Sequence, residues 1–243
     1  MELNLIVAFS ILLAGFLCSS VGQGGAPGFI AVLSFFSIST IPYKSYILVL
    51  NIIIAFIAFV QFKRKGHFQW SIMWPFLLTS IPFAFLGAKM ELSGTVHNVV
   101  IGIILALLAV LVWRHKQGDR VTNRPVDKIL ALVIGGLIGF SAGVLGIGGG
   151  VLLGPILILM EWAKPNEAAA VSSAFIILNS ISALIGYTPN HIEINSTLYI
   201  WCIAAITGGI AGSYLGSARF SQHTLKYLLS TVLIITSVKL IFF

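Results

Sequence analysis

The sequence predicts an all-α integral membrane protein made of two inverted repeats, each a glycine-tipped re-entrant or broken helical hairpin plus three transmembrane helices. Three observations carry that prediction. The first is composition: of 243 residues, 58% are apolar and only 9% charged, with a mean hydropathy of +1.04, far from the balance of a water-soluble domain. The second is the length of the uncharged runs. Leu3 to Val21, Ser45 to Phe62, Val99 to Trp113 and Leu198 to Leu215 carry few or no charges and approach the roughly 20 residues a helix needs to cross hydrocarbon. The third is self-similarity at a separation of roughly 124 to 129 residues. Gly22-Gln23-Gly24-Gly25 matches Gly146-Ile147-Gly148-Gly149, Leu50-Asn51 matches Leu178-Asn179, and Leu86-Gly87-Ala88 matches Leu215-Gly216-Ser217.

Each half reads as a long apolar helix ending at glycines, a short apolar helix, and three ordinary spans. In the first half these run over about Leu3 to Val21, Pro27 to Ser37, Tyr46 to Phe62, Trp70 to Met90 and Val96 to Arg114. In the second they run over about Lys128 to Leu145, Val151 to Met160, Ala168 to Tyr187, Leu198 to Ser217 and Thr224 to Phe243. At roughly 1.5 Å per residue the short helices cannot cross a core of about 30 Å. The glycine tips are therefore expected inside the membrane.

Loop charge sets the expected orientation. Lys63, Arg64 and Lys65 place the loop after the third helix in the cytoplasm, and Arg114, Lys116, Arg120, Arg124 and Lys128 place the central linker there too. The loop of the second half that corresponds to Lys63–Lys65, Thr188 to Ser196, has neither Lys nor Arg and is expected outside. Lys164 and Arg219 then fall on the cytoplasmic side and both termini outside; Lys44 and Lys239, near the outer face, run against the rule. Equivalent loops on opposite sides are the charge signature of inversion. The divisions are residues 1–114 for the first repeat, 115–127 for a cytoplasmic linker and 128–243 for the second repeat, in a multi-pass protein of the inner (plasma) membrane. The formal charge of +7 follows from these loops and does not point to nucleic acid.

A helix that starts just after clustered glycines presents unpaired N–H groups and the positive end of its dipole. In the bilayer such backbone is tolerated only beside protein or an aqueous cavity. Two tips related by a pseudo-two-fold axis would bring two helix N-termini to one polar cavity, an arrangement that favours an anion. No predicted span has Asp or Glu at its centre, whereas a cation or proton relay calls for one. The polar residues within spans are neutral, among them Ser19, Ser20, Gln23, Asn51, Ser141, Ser172, Ser173, Asn179, Ser180 and Ser182. The expected substrate-binding residues are Gly22, Gln23, Gly24, Gly25 and Ala26 at the first tip, Gly146, Gly148, Gly149 and Gly150 at the second, and Asn51, Ser172 and Asn179 beside them. Gln23, opposite Ile147 in the repeat, is the asymmetric donor expected to discriminate substrates.

The stretch from Gly139 to Leu157, with Gly143, Gly146, Gly148, Gly149, Gly150 and Pro155, resembles the glycine-rich signature of the TauE/SafE (sulfite exporter) family. Gly22, Gly24, Gly25 and Pro27 form a degenerate first-half copy, with Ala26 and Pro27 replacing the third glycine and the later proline. The resemblance covers essentially the whole chain. It implies a secondary transporter, an exporter of small sulfur-containing anions such as sulfite, sulfoacetate or other organosulfonates, working by alternating access around the two tips.

The remaining features read as structural. Gly208, Gly209, Gly212 and Gly216 suit close helix packing, and Asn51, Asn179, Ser172 and Ser173 could equally bridge helices. Cys18 and Cys202 lie in apolar runs as small hydrophobes. Trp70, Trp74, Trp113, Trp162 and Trp201 fall near span ends, as interfacial anchors do. His67, His97, His115, His191 and His223 have no metal-ligand spacing. No catalytic residue, metal site or cofactor is expected, since neither a Ser/His/Asp nor an HExxH arrangement occurs in the spans, and no Walker loop marks a primary pump. The partners expected are a small anion and the lipid bilayer, with a coupling ion and a homodimer both compatible. A passive anion channel could use the same dipole-lined constriction and is the alternative.

Overall fold

The protein is described from a computed structural model covering residues 2–36, 38, 43–90, 94–114, 124–187 and 196–242. The described residues form ten helices and no strand. The first five are α1 (Glu2–Ser20), α2 (Ala26–Phe35), α3 (Lys44–Arg64), α4 (Trp70–Ala88) and α5 (Gly94–Arg114). The second five are α6 (Lys128–Leu145), α7 (Gly150–Leu159), α8 (Pro165–Gly186), α9 (Ser196–Ala218) and α10 (Gln222–Phe242). All ten segments expected from the sequence are present, each with ends within a few residues of its expected bounds. Lys116 and Arg120 of the linker, and the Thr188–Asn195 part of the uncharged loop, lie outside the described residues.

Among the described residues, 45–64, 70–88, 128–145, 165–186 and 197–218 are long and apolar enough to cross a membrane. Their outer faces carry large exposed side chains, such as Leu78 and Phe83 on α4, Val133 and Leu137 on α6 and Ile203 on α9. A surface of that kind suits lipid and not water. The whole is a multi-pass membrane protein.

The helices of the two halves pack reciprocally. The first helix of each half lies against the fourth of the other, α1 on α9 and α6 on α4; the third helices, α3 and α8, pack together, as do the fifth, α5 and α10. The short helices follow the same rule, α2 touching α10 and α7 touching α5. Helix α8 is buried over most of its length and meets α3, α4, α6, α7 and α10.

Glycine makes the two long cross-half contacts possible. On α9, a Cβ at Gly208, Gly212 or Gly216 would lie 2.1, 2.1 or 2.0 Å from the carbonyl oxygens of Leu12, Phe16 and Ser20 on α1. On α6, a Cβ at Gly135, Gly139 or Gly143 would lie 2.4, 2.3 or 2.1 Å from those of Phe76, Ser80 and Ala84 on α4. Both stripes repeat every fourth residue, so each runs along one helix face, and backbone rests on backbone. The expected packing role of Gly208, Gly212 and Gly216 is met, and the α6 stripe is its counterpart. Ser19 Oγ donates to Gly209 O at 2.8 Å across the α1–α9 contact, and Thr79 Oγ1 donates to Leu132 O at 2.6 Å across α4–α6.

The tryptophans differ from expectation. Trp70 and Trp113 are exposed, but Trp162 and Trp201 are only 4% and 5% exposed and belong to the two main apolar clusters. The reason is helix ends that are covered by neighbours: Trp162 stacks near Phe76 and Trp201 near Tyr43, with ring centroids 6.0 and 5.9 Å apart. Proximity to a span end places a residue along the membrane normal and says nothing about which face of the helix it occupies.

The glycine stripes give the first test. Gly212→Ala and Gly143→Ala each put a methyl group into a backbone carbonyl, and each is expected to cost about 1–3 kcal/mol, the usual range for overpacking. Thermal unfolding of the purified protein in detergent should show both variants melting below wild type, whereas Gly66→Ala, where a Cβ meets nothing within 4 Å, should lose only what its φ of +78° imposes.

Candidate functional site

Both glycine turns are built alike at their entry. Helix α1 closes with Gln23 N–H donating to Cys18 O at 2.9 Å, and α6 closes with Ile147 N–H donating to Ala142 O at 3.3 Å, the same pair shifted by the repeat. Gly22 and Gly146 follow with φ of +72° and +71°, then Gly24 and Gly148 with φ of +65° and +72°. These left-handed positions let the chain reverse out of one helix and into the next without a Cβ penalty. Gly149 is also left-handed at +75°, whereas its counterpart Gly25 is not.

The first turn is seated between α3 and α8. A Cβ at Gly22 would lie 2.2 Å from Ala169 O on α8, and one at Gly24 would lie 2.3 Å from Asn51 Oδ1 on α3. Helix α2 lies against α1, where a Cβ at Gly28 would come within 2.9 Å of Ala14 Cβ and 3.0 Å of Cys18 Sγ. At the second turn a Cβ on Gly148 would lie 2.5 Å from Ser180 Oγ and 2.8 Å from Asn51 Nδ2. Gly150, the first residue of α7, sits beside Ile176 and Ser172 O of α8.

Asn51 therefore touches both turns. Its Oδ1 accepts from Gly25 N–H at 2.9 Å and Ala26 N–H at 3.0 Å, the groups left without intrahelical partners at the start of α2. Two backbone donors on one side fix the orientation of the amide, so Nδ2 faces the other way and donates to Ser180 Oγ at 3.1 Å. Asn179, its repeat counterpart, behaves differently: Nδ2 donates back to Phe175 O at 2.9 Å and Oδ1 has no partner.

Gln23, Asn51, Ser172, Ser173, Asn179 and Ser180 are all fully buried. Of these, Gln23 Nε2 and Oε1, Ser172 Oγ and Asn179 Oδ1 make no hydrogen bond to protein. Ser172 faces α7, its Oγ 3.2 Å from where a Cβ on Gly154 would sit. The expected open polar cavity is thus closed in this conformation. Two apolar clusters adjoin these residues: Phe29, Leu33, Ile47, Leu50 and Trp201 belong to one, toward the start of α3, and Leu153, Leu157, Phe76, Ile72 and Trp162 to the other, toward the start of α8. Of the site residues named from the sequence, Gly24, Gly25, Ala26, Asn51 and Gly148 lie together and Ser172 lies beside Gly150, whereas Gly22 rests on Ala169, Gly149 on Ile138, Ala142 and Phe175, and Asn179 turns back to Phe175. Ser180 was recognised from sequence as a polar residue in a span but not as part of this group; its signal is that it follows the repeated asparagine.

The two halves are also tied at the start of α4 and the start of α8. Glu167 Oε2 accepts from Lys164 N–H at 2.9 Å, capping α8, while Oε1 accepts from Gln69 Nε2 at 2.7 Å. Arg124, ahead of α6, pairs with Glu161 after α7 at 3.0 Å, with both side chains well exposed.

Comparison with known proteins agrees with this architecture. Residues 7–240 match the family described as Sulfite exporter TauE/SafE. Similar proteins include the probable membrane transporter protein y4hK of Sinorhizobium fredii, 31% identical over 98% of both chains. The probable membrane transporter protein MJ0441 of Methanocaldococcus jannaschii is 26% identical over 96% of this chain and 92% of its own, and YunE of Bacillus subtilis, with the same description, is 22% identical over 95% and 94%. No solved structure matches the chain. Ten helices, an exterior suited to lipid and a match over nearly the full length place the chain in the TauE/SafE family of membrane transporters, and it is not an enzyme.

Proposed function

We propose that this chain is a secondary transporter of small sulfur-containing anions, such as sulfite, sulfoacetate and other organosulfonates, exporting them across the inner membrane by alternating access around the two glycine turns. The observation that carries the reading is the buried polar layer at those turns. An unpaired polar group in the interior costs about 1–3 kcal/mol, and Gln23, Ser172 and Asn179 together leave four such atoms in the interior. Groups of that cost are retained where a ligand or water completes them. Gln23 Nε2 and Ser172 Oγ have N–H or O–H to give, and such donors, with the backbone amides of helix starts, are groups suited to oxyanions.

On this reading the glycine turns are the tips of re-entrant hairpins and residues 1–114 and 128–243 are inverted repeats joined by a cytoplasmic linker. Reciprocal packing of equivalent helices and the matched closure of α1 and α6 support it. The two apolar clusters, one toward the start of α3 and the other toward the start of α8, support a carrier over an open channel, because each can act as a gate and a pore would need a wet path through both.

The first test of substrate class is a thermal-shift panel on the purified protein with sulfite, sulfoacetate, thiosulfate, sulfate and simple carboxylates. Sulfur anions should raise the melting temperature most, since a ligand that binds only the folded state stabilises it, and saturable counterflow should appear in proteoliposomes. Gln23→Ala should weaken the apparent affinity by about 10-fold, the value of one charge-assisted hydrogen bond; unchanged affinity and selectivity would take Gln23 out of the site. Inversion is tested by single cysteines introduced on a Cys18→Ser/Cys202→Ser background. Labelling with an impermeant thiol reagent should reach position 190 from outside the cell and position 65 only after the membrane is opened.

A further inference from the structure

The two turns are not equivalent, and the difference is carried by one pair of positions. Asn51 and Asn179 match in the repeat, but Asn51 is followed by Ile52 and Asn179 by Ser180. Ser180 Oγ accepts from Asn51 Nδ2 and holds that side chain across the interface between α3 and α8. Ile52 has no such group to offer Asn179, which turns back on its own helix to Phe175 O. So Asn51 Oδ1 covers the freed amides of α2, while Asn179 Oδ1 covers nothing.

An oxygen that accepts from two backbone N–H groups at a helix start occupies the place an oxyanion oxygen would take. We propose that Asn51 is a built-in competitor of the transported anion: its amide oxygen seals the start of α2 in the closed protein, and substrate must displace it to engage both turns. The proposal rests on the reading of the turns as an anion site, and it specifies how that site is kept shut. The displaced arrangement is already visible on the twin helix. If Asn51 adopted the geometry of Asn179, Nδ2 would turn to Ile47 O, four residues back, and Gly25 and Ala26 would be free.

A charged oxygen can drive that exchange because a hydrogen bond to an anion is roughly twice as strong as one to a neutral amide. The surroundings are prepared for a guest. Gln23, on the same turn, has both polar atoms unpartnered and fully buried. Asn51 Nδ2 also lies 2.8 Å from where a Cβ of Gly148 would sit, so its departure is felt at the second turn. Displacing a neutral side chain couples occupancy to release of the α3–α8 bridge, which a rigid cap would not do.

The test uses the full chain in detergent and titrates sulfite and sulfoacetate by calorimetry. If neither these nor any anion of the panel binds wild type, the functional reading itself fails. Given an anion that binds, Asn51→Ala should lower its dissociation constant by about 10-fold, one displaced hydrogen bond. Asn51→Asp, whose carboxylate stays on Gly25 and Ala26, should lose saturable binding. Asn51→Ala no tighter than wild type, or Asn51→Asp with wild-type affinity, overturns the proposal. Should Asn51→Ala not fold, Ser180→Ala removes only the partner of Nδ2; it should tighten binding about 3-fold, and unchanged affinity there overturns the proposal equally.

Discussion

Backbone amides freed where a helix restarts inside the fold have to find partners, and this requirement organises the protein. Gly25 and Ala26 are buried, so the start of α2 has to be satisfied by protein. Asn51 does so from α3, with Gly25 and Ala26 as donors, and is itself anchored by Ser180 of α8. One side chain thereby joins the first turn, the third helix of its own half and the third helix of the other. The many neighbours of α8 and its burial over most of its length accord with that role.

The turns can approach these helices because they have no side chains in the way. At Gly24 and Gly148 a Cβ would collide with the Asn51 amide or the Ser180 hydroxyl, and at Gly22 with a carbonyl of α8. The same device works at larger scale in the α1–α9 and α4–α6 contacts, where glycine stripes let backbones touch. Lipid gives helices little hydrophobic reason to associate, so close van der Waals contact and a few interhelical hydrogen bonds hold the halves together. Those contacts all cross between halves, which makes the two repeats one unit and not two domains joined by a linker.

The proposed function follows from what this packing leaves incomplete. A membrane protein that needed only stability would fill its centre with apolar side chains. Here Gln23, Ser172 and Asn179 keep polar atoms without protein partners between two apolar clusters. On the proposed function these neutral groups accept an anion by hydrogen bonding and let it go, where a buried lysine would hold it by full charge. On the proposal made above, the asymmetry between Asn51 and Asn179 gives the site two states to move between.

The helices, their order and the glycine turns were legible in the sequence. Apolar runs are long, Lys and Arg bound them, and glycine clusters such as Gly22–Gly25 and Gly146–Gly150 have few other uses ahead of a short helix. The repeat also marked Asn51 and Asn179 as a pair. What only the tertiary structure decided is that they are used differently, that Ser180 belongs with Asn51, and that Trp162 and Trp201 face inward. Periodicity and charge act along the chain and against the solvent, so one sequence displays them. The partner of a buried amide is chosen across an interface between residues 129 positions apart, where the difference between Ile52 and Ser180 counts only once α3 and α8 are packed together.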